Sequence, residues 1–351
     1  MKIFECSNCG NAAYFDNTVC VHCGMLLGYD AGGERLLALT PEADHWRDTS
    51  GGTWMFCANA SHDACNWLVG EGEGAFCQAC RHNRTVPDLS RPLDLDNWRR
   101  LEGAKRHLFY SLMRWNLPLP TYAENPDTGL AFDFLADVEN ADGTVTRVMT
   151  GHDEGLITIN VAEGDDAERE KRRTELGEPY RTLLGHFRHE VGHYYWDRLV
   201  RDRGHLDRFR ALFGDERDDY GQALQRHYRD GPQMDWQTSF ISSYAASHPW
   251  EDFAETWAHY LHIVDTLETA AAFGVKVRHP DGLETGRPFD AYAAGDVLQL
   301  LKAWVPLTVA INAVNRSMGQ PDLYPFVLSE PVTQKLQFVC DVVNGSAGDA
   351  A

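Results

Sequence analysis

The sequence has no run approaching the ~18 consecutive apolar residues of a membrane span. Its start, Met1-Lys2-Ile3-Phe4-Glu5-Cys6, lacks an apolar signal region, which argues against secretion and for a cytoplasmic protein. Basic residues are scarce, 32 Lys and Arg against 52 Asp and Glu, for a net charge of −20. That balance disfavours a nucleic-acid backbone or an anionic membrane as the main partner. Cysteine is almost missing beyond residue 80, where Cys340 stands alone. Low-complexity sequence is missing too, and 43% hydrophobic with 24% charged residues is ordinary for a globular chain. At ~150 residues per domain, 351 residues suggest about two domains.

Eight of the nine cysteines lie in the first 80 residues. In a chain without a secretory signal, clustered pairs read as metal ligands before disulfides. Cys6-Ser7-Asn8-Cys9 and Cys20-Val21-His22-Cys23 are two CxxC pairs, ten residues apart, each followed by a glycine. Two such turns facing each other make the four-sulfur cage that zinc prefers. Cys57, Cys65, Cys77 and Cys80 predict a second cage, with His62 or His82 as substitutes for one thiol. Trp46, Trp54, Phe56, Trp67 and Phe76 are expected to form a small aromatic core there, and the stretch between the two sets carries few ordering signals. Residues 1–88 hold five Lys and Arg against eleven Asp and Glu. Two tetrathiolate zinc sites would add about four more negative charges. This ribbon module is therefore expected to serve protein docking or structural support rather than phosphate binding.

Pro87-Asp88-Leu89-Ser90-Arg91-Pro92 reads as a linker. A second domain, residues 93–345, follows. Asp96 is expected to cap its first helix, which ends near Leu117-Pro118. Strand-like runs come next, at 130–135, 144–149 and 156–161. From Pro179 the pattern is helical, broken near Gly204, Gly214, Gly231-Pro232 and Gly274. Strands first and helices after predict an α+β domain, mostly helical with a small sheet. Leu184, Phe187, Val191, Tyr195 and Leu199 form a core stripe, Trp304 and the run Val305–Val309 are expected in the core, and Cys340 reads as a buried free thiol.

His189-Glu190-Val191-Gly192-His193 is an HExxH motif on a helix that Pro179 is expected to open. Positions i and i+4 lie one turn apart on one face, so both imidazoles reach one zinc ion. Glu190 then points beside the metal toward its water as a general base. Gly192 inside the helix costs ~1 kcal/mol against alanine, a sign of close backbone packing. Zinc needs a third protein ligand. The segment Ser243–Trp257 offers Glu251 and Glu255, spaced i and i+4 on a helix that Pro249 starts. One can bind zinc while the other orients a ligand histidine. His248 and Asp252 are competing ligands. His186, His259 and His262 read as satisfied histidines. Gly155–Asn160 reads equally as an ordinary sheet strand or as an edge strand that holds an extended peptide.

The HExxH helix followed by a glutamate helix resembles the gluzincin branch of the zinc metallopeptidases. Locally it is similar to the catalytic domain of anthrax lethal factor, in which a tyrosine stands seven residues ahead of a zinc-binding glutamate that opens an E-x-F-A-E stretch. Here Tyr244 precedes Glu251 by seven, and Glu251-Asp252-Phe253-Ala254-Glu255 fits the stretch. The resemblance implies Glu251 as third ligand, Glu255 as support for a histidine, and Tyr244 as stabiliser of the transition state. Asp197, four residues after His193 rather than three, departs from the pattern and is assigned no role. Over nearly its full length the chain is similar to a bacterial family called "putative zinc-binding metallopeptidases". The implied activity is zinc-dependent hydrolysis of a peptide or protein, with one catalytic and two structural zinc ions. The alternative is a catalytically silent zincin and zinc-ribbon scaffold for protein binding or regulation, against which the intact Glu190 and Tyr244 argue.

Overall fold

The computed structural model describes residues 1–176, 182–278, 284–285 and 289–345. Chain contacts divide it into two compact units, 1–187 and 188–351, each described here by itself.

The first unit opens with two matching knuckles. Strand β1 (Phe4–Glu5) pairs antiparallel with β2 (Ala12–Ala13) around the first CxxC turn. The amide of Gly10 closes that turn on the Cys6 carbonyl at 2.9 Å, and Gly24 does the same on Cys20 at 2.9 Å. Both glycines have φ near +70°, the left-handed region that a side chain resists.

Next comes a five-stranded antiparallel sheet in sequential order: β3 (Leu26–Asp30), β4 (Arg35–Glu42), β5 (His45–Asp48), β6 (Thr53–Phe56) and β7 (Leu68–Gly70). The stretch expected to carry few ordering signals is thus mostly strand. Its register is fixed by turn chemistry. Asp48 accepts hydrogen bonds from the amides of Ser50 (2.6 Å) and Gly52 (3.0 Å) and from the Trp54 indole (2.7 Å), which locks the β5–β6 hairpin. Leu37, Leu39 and Leu68 are buried, with Trp46, Trp54 and Phe56 packed on them. Phe76 does not join them and is 45% exposed. A second aromatic group links Phe15, Tyr29, Trp67 and Tyr110, with ring centroids 4.8–5.5 Å apart along the chain of contacts.

Helix α1 (Pro92–Arg114) starts four residues before the expected cap Asp96. Proline suits the first helical turn because its missing N–H would be unpaired there anyway. A four-stranded sheet then has the order β12 (Gly151–Asp153), β13 (Leu156–Asn160), β9 (Ala131–Leu135), β8 (Asn83–Thr85). β13 pairs with β12 on one side and β9 on the other, so it is interior, and Gly155–Asn160 offers no free edge to a peptide. Of the run 144–149 only β11 (Val145–Thr146) is strand, in a small hairpin with β10 (Val138–Glu139). Helix α2 (Asp166–Leu176) follows. Pro179 lies outside the described residues, and the HExxH helix, α3, runs Leu183–Tyr195.

The second unit is helical: the end of α3, a π turn at Trp196–Arg201, α4 (Leu206–Phe213), α5 (Tyr220–Asp230), α6 (Pro249–Ala272), α7 (Val297–Ser317) and α8 (Glu330–Val343), with a small hairpin of β14 (Val277–Arg278) and β15 (Glu284–Thr285). Gly214 and Gly231 end α4 and α5 at positive φ, as expected from the sequence. Phe209, Phe213, Phe253 and Phe338 interlock. Beside them Lys335 meets buried Asp252 at 2.6 Å. Helix α7 is long and apolar enough to cross a membrane by length and composition alone. It touches α6 and α8 and buries Leu300, Trp304 and Leu307. Val305 and Val309 are exposed, so only part of that run is core.

On α1, Lys105 and Glu102 are fully buried and paired at 2.8 Å. Lys105 also donates to Asn83. Removing one partner of such a pair strands a charge in a dry place. Lys105→Ala is therefore expected to lose about 3–5 kcal/mol of stability, read as a lowered urea midpoint of the full chain. A midpoint within error of the unmodified protein would contradict the burial of this pair.

Candidate metal centre

Each four-cysteine set comes together. In the first, Cys6 and Cys23 sulfurs lie 3.8 Å apart, and those of Cys9 and Cys20 lie 3.7 Å apart. In the second, Cys65 and Cys77 sulfurs are 3.7 Å apart, and Cys57 and Cys80 complete the group. A tetrahedron with ~2.3 Å zinc–sulfur bonds has edges of about 3.8 Å, so both cages fit zinc. None of these cysteines forms a disulfide. His62 and His82 stand outside the second cage. The His62 ring faces Trp98, and His82 is buried with its Nδ1 2.8 Å from the Leu130 carbonyl. Burial pushes the His82 imidazole down to about 4. Cys340 is a buried free thiol, 3.3 Å from the Ala294 carbonyl.

A third group lies in the second unit. His189, His193 and Glu251 are buried, and one ligand atom from each lies within 4.8 Å of the others. The Glu251 Oε2 is 2.9 Å from His189 Nε2 and 3.5 Å from His193 Nε2. Tetrahedral sites with ~2.0–2.1 Å bonds have ligand–ligand edges of about 3.3 Å, so this trio suits a zinc ion. Among the described residues the same Oε2 accepts no hydrogen bond of ordinary geometry, although its residue is only 1% exposed. A buried carboxylate oxygen between two imidazoles, without a donor, is what a cation would satisfy.

The trio follows from local sequence. The two histidines are one turn apart on α3, with ring centroids 4.9 Å apart. Glu251 sits in the first turn of α6, whose cap is His248: its Nδ1 accepts from the Trp250 amide at 3.1 Å, and its other ring nitrogen is 3.1 Å from the Asp218 carbonyl. His248 is thereby occupied as a cap, and Asp252 as the partner of Lys335, so neither competing ligand reaches the trio. The approach of α3 to α6 depends on Gly192. A Cβ there would lie 3.0 Å from Ala254 Cα and 3.3 Å from its carbonyl oxygen. This is the close backbone packing that a glycine inside the motif suggests.

Around the trio, Glu255 Oε1 accepts from His189 Nδ1 at 2.7 Å, and the Ser242 hydroxyl donates to Oε2 at 2.6 Å. Burial works to raise the Glu255 carboxyl, but these contacts outweigh it and hold the group near 2. Glu190 is buried, and its charge acts on both Tyr220 and Tyr244. Burial, then the nearby Glu251 carboxylate, pushes both phenols above their ordinary range, so they remain donors. The Tyr244 ring is 5.8 Å from that of His189, and the Trp250 ring packs at a tilt, 4.1 Å from His193. Asp197 is buried, 2.6 Å from Arg201, and does not enter the trio.

The remaining histidines are satisfied elsewhere. His186 pairs with Glu163 at 2.6 Å within the first unit. His259 meets the Tyr324 hydroxyl at 2.8 Å, and His262 meets Arg188 at 2.5 Å.

The sequence reading missed two residues. Tyr220 donates to the second oxygen of Glu251 at 2.6 Å, and Ser242 fixes Glu255. Tyr220 stands 31 positions before its partner with no motif around it, and the only local signal is Asp219, which caps α5.

Two imidazoles and a carboxylate aimed at one point, in a chain that also holds two four-sulfur cages, define a zinc-ribbon protein with a further group of metal-ligand type. The chain belongs to the family described as "Putative zinc-binding metallo-peptidase", whose profile matches residues 94–342, and residues 3–91 match a zinc-ribbon domain. Similar proteins include uncharacterized proteins of Mycobacterium bovis and of two strains of Mycobacterium tuberculosis, each 44% identical over 351 residues, covering 99% of this chain and 97% of the relative. No solved structure matches it, and the resemblance of the two helices to lethal factor is not shown by these comparisons.

Adding bulk at Gly192 would force α3 off α6. Gly192→Val is expected to destabilise the protein by about 1–3 kcal/mol, the usual cost of overpacking. A denaturation midpoint equal to or above that of the unmodified chain would contradict the contact.

Proposed function

We propose that the protein is a zinc-dependent peptidase whose reaction centre is formed by His189, His193 and Glu251, with peptide or protein as substrate. The observation that carries this reading is the buried, undonated Glu251 oxygen lying between two imidazole nitrogens of an HExxH helix. A zinc ion held there would acidify a bound water and polarise the scissile carbonyl.

The chain's own residues do the rest. Glu190 takes a proton from the attacking water and delivers it to the departing amine. Tyr244 donates its hydroxyl hydrogen to the oxygen that gains charge, a contribution typically worth ~3 kcal/mol for one well-placed donor. Glu255 accepts the Nδ1 hydrogen of His189 and so keeps Nε2 free as a lone-pair donor. The Ser242 hydroxyl restrains that carboxylate from turning away. The two four-cysteine cages are structural, since four thiolates leave no position for a water or substrate. The ribbon's acidic charge supports a role in protein docking or structural support.

Two measurements test the reading. Elemental analysis of the full chain is expected to find three zinc ions, falling to two in His189→Ala/His193→Ala. Two in both proteins would remove the catalytic ion from the account. Glu190→Gln is expected to retain three zinc ions and lose about 10²–10⁴-fold in peptide turnover. Unaltered turnover in that variant would assign the activity elsewhere and favour the silent scaffold.

A further inference from the structure

We infer that Tyr220 is a positioning residue that keeps Glu251 a one-oxygen ligand and thereby preserves the open coordination position of the metal centre. This rests on the metal reading of the trio proposed above.

The carboxylate of Glu251 is used at both oxygens. Oε2 faces the two imidazole nitrogens at 2.9 and 3.5 Å. Oε1 accepts the Tyr220 hydroxyl at 2.6 Å. A carboxylate whose second oxygen is engaged by a short, charge-assisted hydrogen bond is held against rotation. Rotation would matter chemically. A carboxylate that brings both oxygens to a zinc ion fills the position that a hydrolytic site leaves to water. The donor is on a different element from the ligands, the first turn of α5.

Tyr220 is itself fixed. Its ring packs edge-on against His248 at 5.2 Å and Trp250 at 6.0 Å, three residues and one residue before Glu251 at the α6 start. His248 is tied back to the Asp218 carbonyl at 3.1 Å, two residues before Tyr220. Asp219 caps α5 through the Gln222 amide at 2.9 Å. The starts of α5 and α6 are thus joined by one set of contacts, and the phenol is aimed by them.

The test uses Tyr220→Phe in the full chain, which keeps the ring contacts and removes only the hydroxyl. Zinc affinity of the third site is measured by chelator competition and is expected to fall about 10–100-fold, the usual effect of removing a hydrogen-bond partner of a ligand. Cobalt(II) loaded into that site reports geometry: the unmodified protein is expected to give the intense visible absorption of a four-coordinate ion, and the variant the weaker absorption of a five-coordinate one. In a Glu251→Gln background the same substitution is expected to add nothing further, which separates action through the carboxylate from a general loosening of the fold. Unchanged affinity and an unchanged cobalt spectrum would overturn the role of Tyr220 while leaving the metal centre standing. Failure of the unmodified chain to bind a third ion would overturn both.

Discussion

The organising constraint of the second unit is the burial of one carboxylate. Glu251 is 1% exposed, and one of its oxygens lies between two imidazole nitrogens with no hydrogen bond of ordinary geometry among the described residues. An ionised carboxylate in such a place must be compensated by cation, proton or donor. The neighbouring architecture supplies geometry for a cation. α3 presents two nitrogens from one face, the cap of α6 sets the height of Glu251, and Gly192 lets the helices approach closely enough for the three atoms to meet. Tyr220 then restrains Glu251, and the Glu255–Ser242 pair restrains His189.

The first unit solves a different problem by similar means. Short strands and knuckle turns bury too little apolar surface to be sturdy alone. Two four-sulfur cages supply cross-links between segments distant in the chain, and a layer of aromatic rings from Phe15, Tyr29, Trp67 and Tyr110 fills the space around them. α1 runs beneath the second cage, where the Cys80 sulfur lies 3.5 Å from Glu102, which in turn pairs with Lys105. Charges there are buried in company and not singly.

What could be read from sequence was whatever is encoded locally. The spacing of the cysteine pairs, the i and i+4 histidines, the proline and acids that open α6, and the glycine in the motif each carry their geometry within a few residues. Strands β3 to β6 were not legible, because a turn such as the one around Asp48 is specified by side-chain bonds that composition does not reveal. Gly155–Asn160 was legible as a strand but not as an interior one, since its neighbours are β12 and β9 and pairing partners are a property of the whole sheet. The α1 start at Pro92 was obscured by reading the preceding turn residues as linker. Tyr220 was invisible for the same reason as the sheet order: its partner is reached across space, and a lone tyrosine after a capping aspartate is common on any helix.

The contact at Gly192 has a further implication. Since the nearest neighbours of that position are the Ala254 main chain and the Trp257 ring, no side chain fits between the two ligand-bearing helices at that point. The separation between the two histidines and Glu251 is thereby coupled to one position inside the motif, where anything larger than glycine would have to displace the helix that carries the carboxylate.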